Sequence, residues 1–231
     1  MNTALLTIDD IPSRNTPAIV DYLNAKGIKA ILFATGTHLE KYWEEACYAV
    51  RHGMIVGNHS YSHPGFSKLP LEECVTQIER CEVLLDQLYR ECSTERTHRP
   101  FRFPYGDKGG DNKAALQEYL RNHGFNKVDD TAIPYPWWKD NAMDTDIDTF
   151  WTFDFEEYRL QFDSGFTKDH IWAKINDPAP KQGAALFGEN NRHIILLHAH
   201  DATEEVFPEY YKRFIDHLLA HGLTFDEPRF L

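Results

Sequence analysis

The chain is poor in cysteine and has no long apolar run. Only 4 of its 231 residues are cysteine, which argues against the disulfide-dense scaffolds of small secreted domains. The first apolar segment, residues 4–8, is too short for a membrane span or a signal-peptide core, and no basic segment precedes it. We therefore expect no membrane span and a cytoplasmic location, or secretion if a leader was removed before the first residue.

The spacing of the cysteines argues against disulfides. Cys74, Cys81 and Cys92 fall on one predicted helix, where Cys74 and Cys81 are two turns apart, or about 10 Å by helical rise. That separation is too large for a disulfide. We predict that these three residues and Cys47 are reduced and buried, as is usual in a reducing compartment.

Positive charge is also scarce. Lys and Arg total 24 against 36 Asp and Glu, which leaves a net charge of −12. A surface of this sign repels phosphate backbones and anionic membranes, so we expect no nucleic-acid partner. A neutral or cationic small substrate is compatible with it. The composition predicts no particular oligomeric state.

Short apolar runs alternate with amphipathic segments along the whole chain. Strands are predicted at 3–8, 29–36, 54–57, 100–106, 125–130, 151–155, 193–198 and 223–225, and helices at 18–26, 40–52, 71–92, 113–123, 170–176 and 204–221. This alternation predicts an α/β fold with a parallel sheet and helices outside it. Polar residues follow nearly every strand, which favours a distorted (β/α)7 barrel, similar to a TIM barrel, over an open sheet. Residues 1–231 are expected to form a single domain.

Two histidines and two aspartates stand at the ends of predicted strands. His59 and His63 are four residues apart, a spacing that lets both imidazoles reach one divalent ion. Asp9 and Asp10 follow the first strand and could supply a carboxylate ligand. The alternatives are a pair of solvated loop histidines and an aspartate that caps a helix.

Five segments at strand ends, taken in chain order, resemble the motifs of the polysaccharide deacetylases, carbohydrate esterase family four. They are Thr7-Ile8-Asp9-Asp10, His59-Ser60-Tyr61-Ser62-His63, Arg102-Phe103-Pro104-Tyr105, Trp151-Thr152-Phe153-Asp154-Phe155-Glu156-Glu157-Tyr158 and Leu196-Leu197-His198. The resemblance implies a distorted barrel that removes acetyl groups from N-acetylated or O-acetylated sugars. It also implies a divalent metal cofactor, in the first place zinc, with cobalt, nickel or manganese as alternatives.

The resemblance assigns roles at the metal. Asp10, His59 and His63 match the three metal ligands, and Asp9 matches the general base. Arg102 matches the arginine that pairs with the base, and its alternative role is a surface ion pair.

The remaining motif residues are expected to hold the substrate and return the proton. Tyr105 matches the residue whose backbone N–H stabilises the oxyanion. Leu196 matches an apolar wall for the acetyl methyl group and His198 the general acid. Trp151 is expected to contact the substrate. His200, two residues after His198, is a weaker rival for the acid.

The fourth motif departs from the family pattern, which ends in Asp-Trp. Asp154 is expected to brace Arg102, and Glu157 to act as the second acid of the site. Asp146 and Asp148 offer a competing alignment.

An inserted loop at about 131–150 precedes the fourth motif and is expected to be functional. It contains Trp137 and Trp138, which are expected either to form the floor of a sugar site or to pack the loop onto the barrel.

We therefore expect a hydrolase that removes acetyl groups by attack of a metal-bound water, with Asp9 as base and His198 as acid. Because no export signal is visible, a small acetylated saccharide is favoured over a cell-wall polymer. One alternative is a metal-dependent amidase or deformylase acting on a non-sugar amide. The other is a carbohydrate-binding module without catalysis.

Overall fold

A computed structural model describes residues 2–188 and 190–231 of the chain, and six parallel strands form its central sheet. They are β1 (Asn2–Ile11), β2 (Ala30–Ala34), β3 (Ile55–Asn58), β4 (Phe153–Asp154), β5 (Arg192–His198) and β6 (Leu223–Phe225). The order across the sheet is β3-β2-β1-β5-β4, and β6 also pairs with β1. The predicted α/β fold with a parallel sheet is therefore confirmed.

Helices connect these strands and cover the outside of the sheet. They are α1 (Thr16–Ala25), α2 (Gly36–Lys41), α3 (Trp43–Arg51), α4 (Leu71–Glu91), α5 (Lys113–Asn122), α6 (Pro136–Asp140), α7 (Lys168–Ile175), α8 (Asp201–Val206) and α9 (Tyr210–Ala220). Two helices predicted as continuous are interrupted. The segment 40–52 has non-helical backbone at Tyr42, and 204–221 is interrupted before Tyr210, where Glu209 is left-handed and Pro208 lacks a backbone donor.

Within residues 2–188 and 190–231, regular strands do not close the sheet, so the predicted barrel of seven strands is not confirmed as such. The segments 100–106 and 125–130, predicted as strands, each contribute a single bridge, and Pro100 and Pro104 lack ladder donors. Irregular segments nevertheless span the gap between β3 and β4. Arg102 N donates to Asn58 O at 3.0 Å, and Thr149 N donates to Phe101 O at 2.8 Å. The strand ends therefore surround a shared mouth.

Alternate residues of the strands pack on opposite sides of the sheet. Leu6, Ile8 and their neighbours pack against the helices, while Leu5, Ile31 and Phe33 pack inside, together with residues of the inserted loop. This alternation follows from the two-residue period of a strand. It leaves the next inward positions, towards the carboxyl ends, for the polar groups of the site.

The inserted loop packs onto the sheet and contains α6. Trp138 is 2% exposed in the inner apolar cluster, and its indole N–H donates to Asp130 at 2.9 Å. Neither Trp138 nor the half-buried Trp137 lines the cavity at the strand ends. Of the two roles expected for these tryptophans, packing of the loop is the one observed.

The prediction that all cysteines are reduced is wrong for two of them. Cys47 of α3 and Cys92, just after α4, form a disulfide with a Cα–Cα distance of 5.8 Å. Helical spacing limits bonds only between cysteines of the same helix, whereas this bond joins two different helices that pack together. Cys74 and Cys81 are free and buried, as predicted. Among the described residues, no helix is both long and apolar enough to cross a bilayer.

Candidate functional site

A bulge in β1 brings two consecutive carboxylates to one place. Neighbouring residues of a strand normally point to opposite faces. Here the register of β1 against β2 shifts between Ile8 and Ile11, and Asp10 has a left-handed backbone with φ of 60°. Asp9 and Asp10 therefore both line the cavity at the strand ends. Its volume is about 580 Å³.

The turn after β3 presents both histidines to the same cavity. The buried Asn58 side chain accepts from Ser60 N at 2.7 Å, and Ser60 Oγ accepts from His63 N at 3.2 Å. These bonds shape a turn in which Ser60 and His63 have positive φ. The imidazole rings of His59 and His63 lie 4.8 Å apart.

Asp10, His59 and His63 converge with the geometry of a metal site. The two Nε2 atoms lie 3.2 Å apart, and Asp10 Oδ1 lies 3.5 Å from Nε2 of His63 and 4.0 Å from Nε2 of His59. The edge of a tetrahedral zinc site with nitrogen ligands is about 3.3 Å. Because Nδ1 of His59 donates to Arg102 O at 2.8 Å, its Nε2 offers a lone pair. The residues therefore fit a divalent ion.

Electrostatics at these ligands favour their metal-binding protonation states. Burial opposes ionisation of Asp10, but the hydrogen bond with His200 and the nearby His63 and His59 lower its pKa below the ordinary range. Burial, and next to it the charge of His59, lower the pKa of His63 to about 4. A carboxylate and a neutral imidazole are the forms that bind metal.

Asp9 lies beside these ligands and is bound on one side by a buried arginine. Its Oδ1 accepts from Nη1 of Arg102 at 2.7 Å, while its Oδ2 lies 3.4 Å from Nε2 of His59. Arg102 is fully buried and also donates to Thr7 Oγ1 and Thr149 O. One oxygen of Asp9 is therefore fixed while the other faces the candidate metal position.

His198 lies at the other side of the cavity with Glu157 behind it. Glu157 is fully buried and accepts from the backbone N–H of His198 and from its Nδ1 at 3.3 Å. Burial alone would lower the pKa of His198, but the charge and hydrogen bond of Glu157 outweigh it and raise the pKa to about 10. His198 is therefore held as an imidazolium.

One expectation for the fourth motif needs correction. Asp154 contacts neither Arg102 nor the base; it lies with Glu157 and His198 in a group whose ligand atoms are within 4.8 Å of one another. Burial raises the pKa of Asp154 to about 6, although the His198 cation opposes this. Glu157 does not line the cavity and contacts His198 instead, so its part as the second acid of the site stays a prediction. The partner of Asp154 depends on the pairing of β4 with β5, which places it opposite Leu196, and this pairing is not visible in the motif itself.

The competing alignment through Asp146 and Asp148 is excluded. Both are buried and pair with Lys108 Nζ, at 2.6 and 3.2 Å. Neither lines the cavity. Their role is to attach the inserted loop to the segment before α5.

Apolar and aromatic side chains form the cavity walls. Leu196 and Trp151 line it, as do Tyr105 and His198, so these predicted residues are brought together. The Tyr105 ring is 72% exposed and packs at 4.4 Å against His63.

The structure adds residues that the motifs did not predict. Tyr158 packs at 4.7 Å against His198, and Phe162, 71% exposed, follows it at the rim. His38 Nδ1 donates to Asp10 O at 2.8 Å, and His200 Nε2 contacts Asp10 Oδ2 at 2.7 Å. No spacing rule links His38 to Asp10, because the contact depends on the pairing of β1 with β2.

Comparison with known proteins gives a consistent match. A sequence model of the family described as polysaccharide deacetylase matches residues 1–128. The chain is 37% identical over 84 residues to a peptidoglycan-N-acetylglucosamine deacetylase of Bacillus cereus, a match that covers 36% of this chain and 30% of that protein. It is 35% identical over 103 residues to chitin deacetylase 1 of Cryptococcus neoformans, covering 44% and 21%. The chain thus spans less than a third of the length of these curated relatives.

A solved structure extends the likeness to the whole chain. The crystal structure of a peptidoglycan N-acetylglucosamine deacetylase superimposes with a TM-score of 0.66 at 22% identity, covering 98% of this chain and 86% of that one. At this identity the likeness concerns the fold. It includes the part after residue 128, which contributes β4, β5 and His198.

Proposed function

The chain belongs to the polysaccharide deacetylase family, and from this we propose that it is a metal-dependent hydrolase that removes acetyl groups from N-acetylated sugars. The observation that carries the proposal is the convergence of three metal-type ligands with a carboxylate and a histidine on one cavity. These groups are what hydrolysis of an acetamide requires: a base, an acid and an electrophilic centre.

The metal site would consist of Asp10, His59 and His63. Three protein ligands leave positions open for water and substrate, as in catalytic zinc sites. When bound, a divalent ion would polarise the acetyl carbonyl and acidify water. Zinc is the first choice for a site with two imidazoles and one carboxylate, and cobalt, nickel and manganese are alternatives.

Asp9 would act as the general base. Its free Oδ2 faces the ligands, so it can take a proton from the water that attacks the acetyl carbon. Arg102 on the other oxygen holds the carboxylate in this orientation.

His198 would act as the general acid. The attack yields a tetrahedral carbon, and cleavage of its C–N bond requires a proton on the departing nitrogen. His198 holds that proton because of Glu157, and the amine then leaves with the proton while acetate stays behind. Tyr105 N–H is proposed to stabilise the oxyanion and Leu196 to contact the acetyl methyl group.

An acetylated saccharide is the proposed substrate. The relatives named above are deacetylases of peptidoglycan N-acetylglucosamine and of chitin. The exposed aromatic rings of Tyr105 and Phe162 at the rim support a sugar substrate, because flat apolar faces stack on sugar rings. The disulfide between Cys47 and Cys92 favours an oxidising compartment over the cytoplasm. In an extracellular compartment, larger saccharides are accessible as substrates.

Acetate release from N-acetylated chitooligosaccharides by zinc-loaded protein tests the proposal. We expect His59→Ala to abolish metal binding and acetate release together. The control is His123→Ala, because His123 is exposed and lies at the carboxyl end of α5. Full activity of chelator-stripped protein would contradict the metal mechanism. If the protein hydrolyses a formylated non-sugar amide but releases no acetate from the sugars, an amidase is favoured instead.

A further inference from the structure

The two oxygens of Asp10 have different neighbours. Oδ1 faces Nε2 of His63 and His59 at 3.5 and 4.0 Å. Oδ2 instead lies 2.7 Å from Nε2 of His200. A carboxylate only accepts hydrogen bonds, so His200 donates here. One oxygen of Asp10 is therefore occupied and the other is left for the ion.

A glutamine fixes which nitrogen of His200 carries the proton. Gln161 Nε2 lies 2.9 Å from Nδ1 of His200 and donates to Thr203 Oγ1 at 2.7 Å. An amide nitrogen only donates, so Nδ1 accepts and the proton of a neutral ring stays on Nε2, facing Asp10. The hydrogen bonds run from Gln161 through His200 to Asp10.

These residues come from separate elements behind the candidate metal position. Gln161 ends the short 3-10 helix Glu157–Gln161, which begins with the residue that holds His198. His200 stands immediately before α8, and Thr203 is buried within that helix. His200 keeps about a quarter of its side chain exposed, so it is not simply a packed core residue.

We propose that His200 is a positioning residue, oriented by Gln161, which holds Asp10 so that a single oxygen coordinates the divalent ion. The inference rests on the metal site of the proposed function. Outer-shell partners of this kind fix the orientation of a ligand and raise metal affinity. His200 is therefore assigned a role other than the rival general acid expected from the sequence.

Metal affinity of the whole chain tests this directly. Zinc and cobalt dissociation constants would be measured by titration calorimetry, and the visible absorption of the cobalt form would be recorded. We expect His200→Leu to weaken binding by about 10-fold to 100-fold and to alter the cobalt spectrum. His200→Gln keeps an N–H near the position of Nε2 and should restore most of the affinity.

Two further variants separate orientation from structure. Gln161→Leu should weaken metal binding less than His200→Leu does, because the Nε2–H of His200 remains but is no longer held in orientation. His123→Leu is the control and should bind as the wild type does.

Each remaining outcome contradicts the inference. Unchanged affinity and spectrum in His200→Leu would overturn it while leaving the proposed function intact. Equal loss in His200→Gln and His200→Leu, with unchanged melting temperatures, would show that the N–H donor is not what matters. A wild type that binds no metal would remove both this inference and the proposed function.

Discussion

Adjacent carboxylates at the candidate site are distinguished by their partners. Arg102 occupies one oxygen of Asp9, whereas His200 occupies one oxygen of Asp10. The remaining oxygen of each residue is the one that faces the histidine ligands, Oδ2 in Asp9 and Oδ1 in Asp10. Two residues of the same type are thereby prepared for different roles.

Asp9→Asn should separate chemistry from metal binding. We expect the variant to bind zinc as the wild type does but to lose about two to four orders of magnitude in turnover, the usual scale for removal of a general base. Asp10→Asn, the matched change one residue later, should lose both. Metal content and acetate release, measured alongside melting temperature, check the pair. Retained turnover in Asp9→Asn would show that the base is misassigned.

Glu157→Gln should change the pH dependence of catalysis. A general acid works while protonated, so activity is lost as pH rises through its pKa, which Glu157 raises to about 10 in His198. The amide keeps a hydrogen-bond acceptor but removes the charge, so the pKa should fall and the alkaline limb of kcat/KM should move to lower pH. The expected movement is about one to three units.

The neighbouring Glu156→Gln is the control for this change. Glu156 pairs with Arg159 and Lys174 at the surface. The alkaline limb of kcat/KM in Glu156→Gln should therefore match that of the wild type. An unmoved alkaline limb in Glu157→Gln would assign the acid role elsewhere.

At the scale of elements, the site depends on irregular segments at the ends of strands. The bulge of β1 turns Asp10 toward Asp9, and the segments around 102 and 149 fill the gap between β3 and β4. Because such segments lack a repeating ladder, they need other attachments. The buried Lys108, which pairs with Asp146 and Asp148, provides one for the segment that leads to residue 149.

The disulfide between α3 and α4 should contribute to stability. Its cysteines are 45 residues apart, and loss of a disulfide closing a loop of this size costs about 4 kcal/mol. We expect Cys47→Ala and Cys92→Ala to lower the denaturant midpoint and to make it insensitive to reductant. The intact mass of the wild type under non-reducing conditions should be two hydrogens below that of the reduced chain.

Cys74→Ala is the matched control, since Cys74 is buried but unbonded. Its midpoint should stay sensitive to reductant. A wild-type midpoint that reductant does not change would contradict the stabilising role of the bond.

At the scale of the whole molecule, we propose that the chain is one folding unit. β1 pairs with β2, β5 and β6, so strands from both halves share one sheet. The family match ends at residue 128, yet His198 comes from β5. We expect a single cooperative unfolding transition by fluorescence and by circular dichroism. Two separated transitions would contradict a single unit.

A buried histidine should make that stability depend on pH. Burial lowers the pKa of His193 to about 4, against hydrogen bonds to Leu186 and Ala185 that raise it, while the unfolded chain titrates near its ordinary value of 6.5. The unfolded state therefore binds the proton first as pH falls. The stabilisation is present above pH 6.5 and is lost between pH 6.5 and 4.

His193→Gln removes this titration. Denaturant midpoints at pH 7.5 and at pH 5 should differ less in the variant than in the wild type. The comparison cancels other titrating groups, such as His63, which both proteins share. An equal difference in the two proteins would assign the acid sensitivity to other residues.

Local pattern was enough for much of the fold and for the two histidines of the candidate metal site. The α/β class, the last strand at 223–225 and the helix that starts at Leu71 were predicted in this way. The choice of Asp10 over Asp9 to join His59 and His63 came from the resemblance to the family motifs. Periodicity, helix caps and side-chain chemistry are properties of residues close together in the sequence, so they can be recognised without knowing the tertiary structure.

Tertiary structure alone decided which distant groups meet. The sequence does not show that Asp154 joins His198 instead of Arg102, that His200 and His38 reach Asp10, or that Cys47 meets Cys92. These contacts join residues from different elements, and their distances depend on strand order, on the β1 bulge and on helix packing. Such quantities are set by the burial of the whole core, which no short stretch of sequence contains.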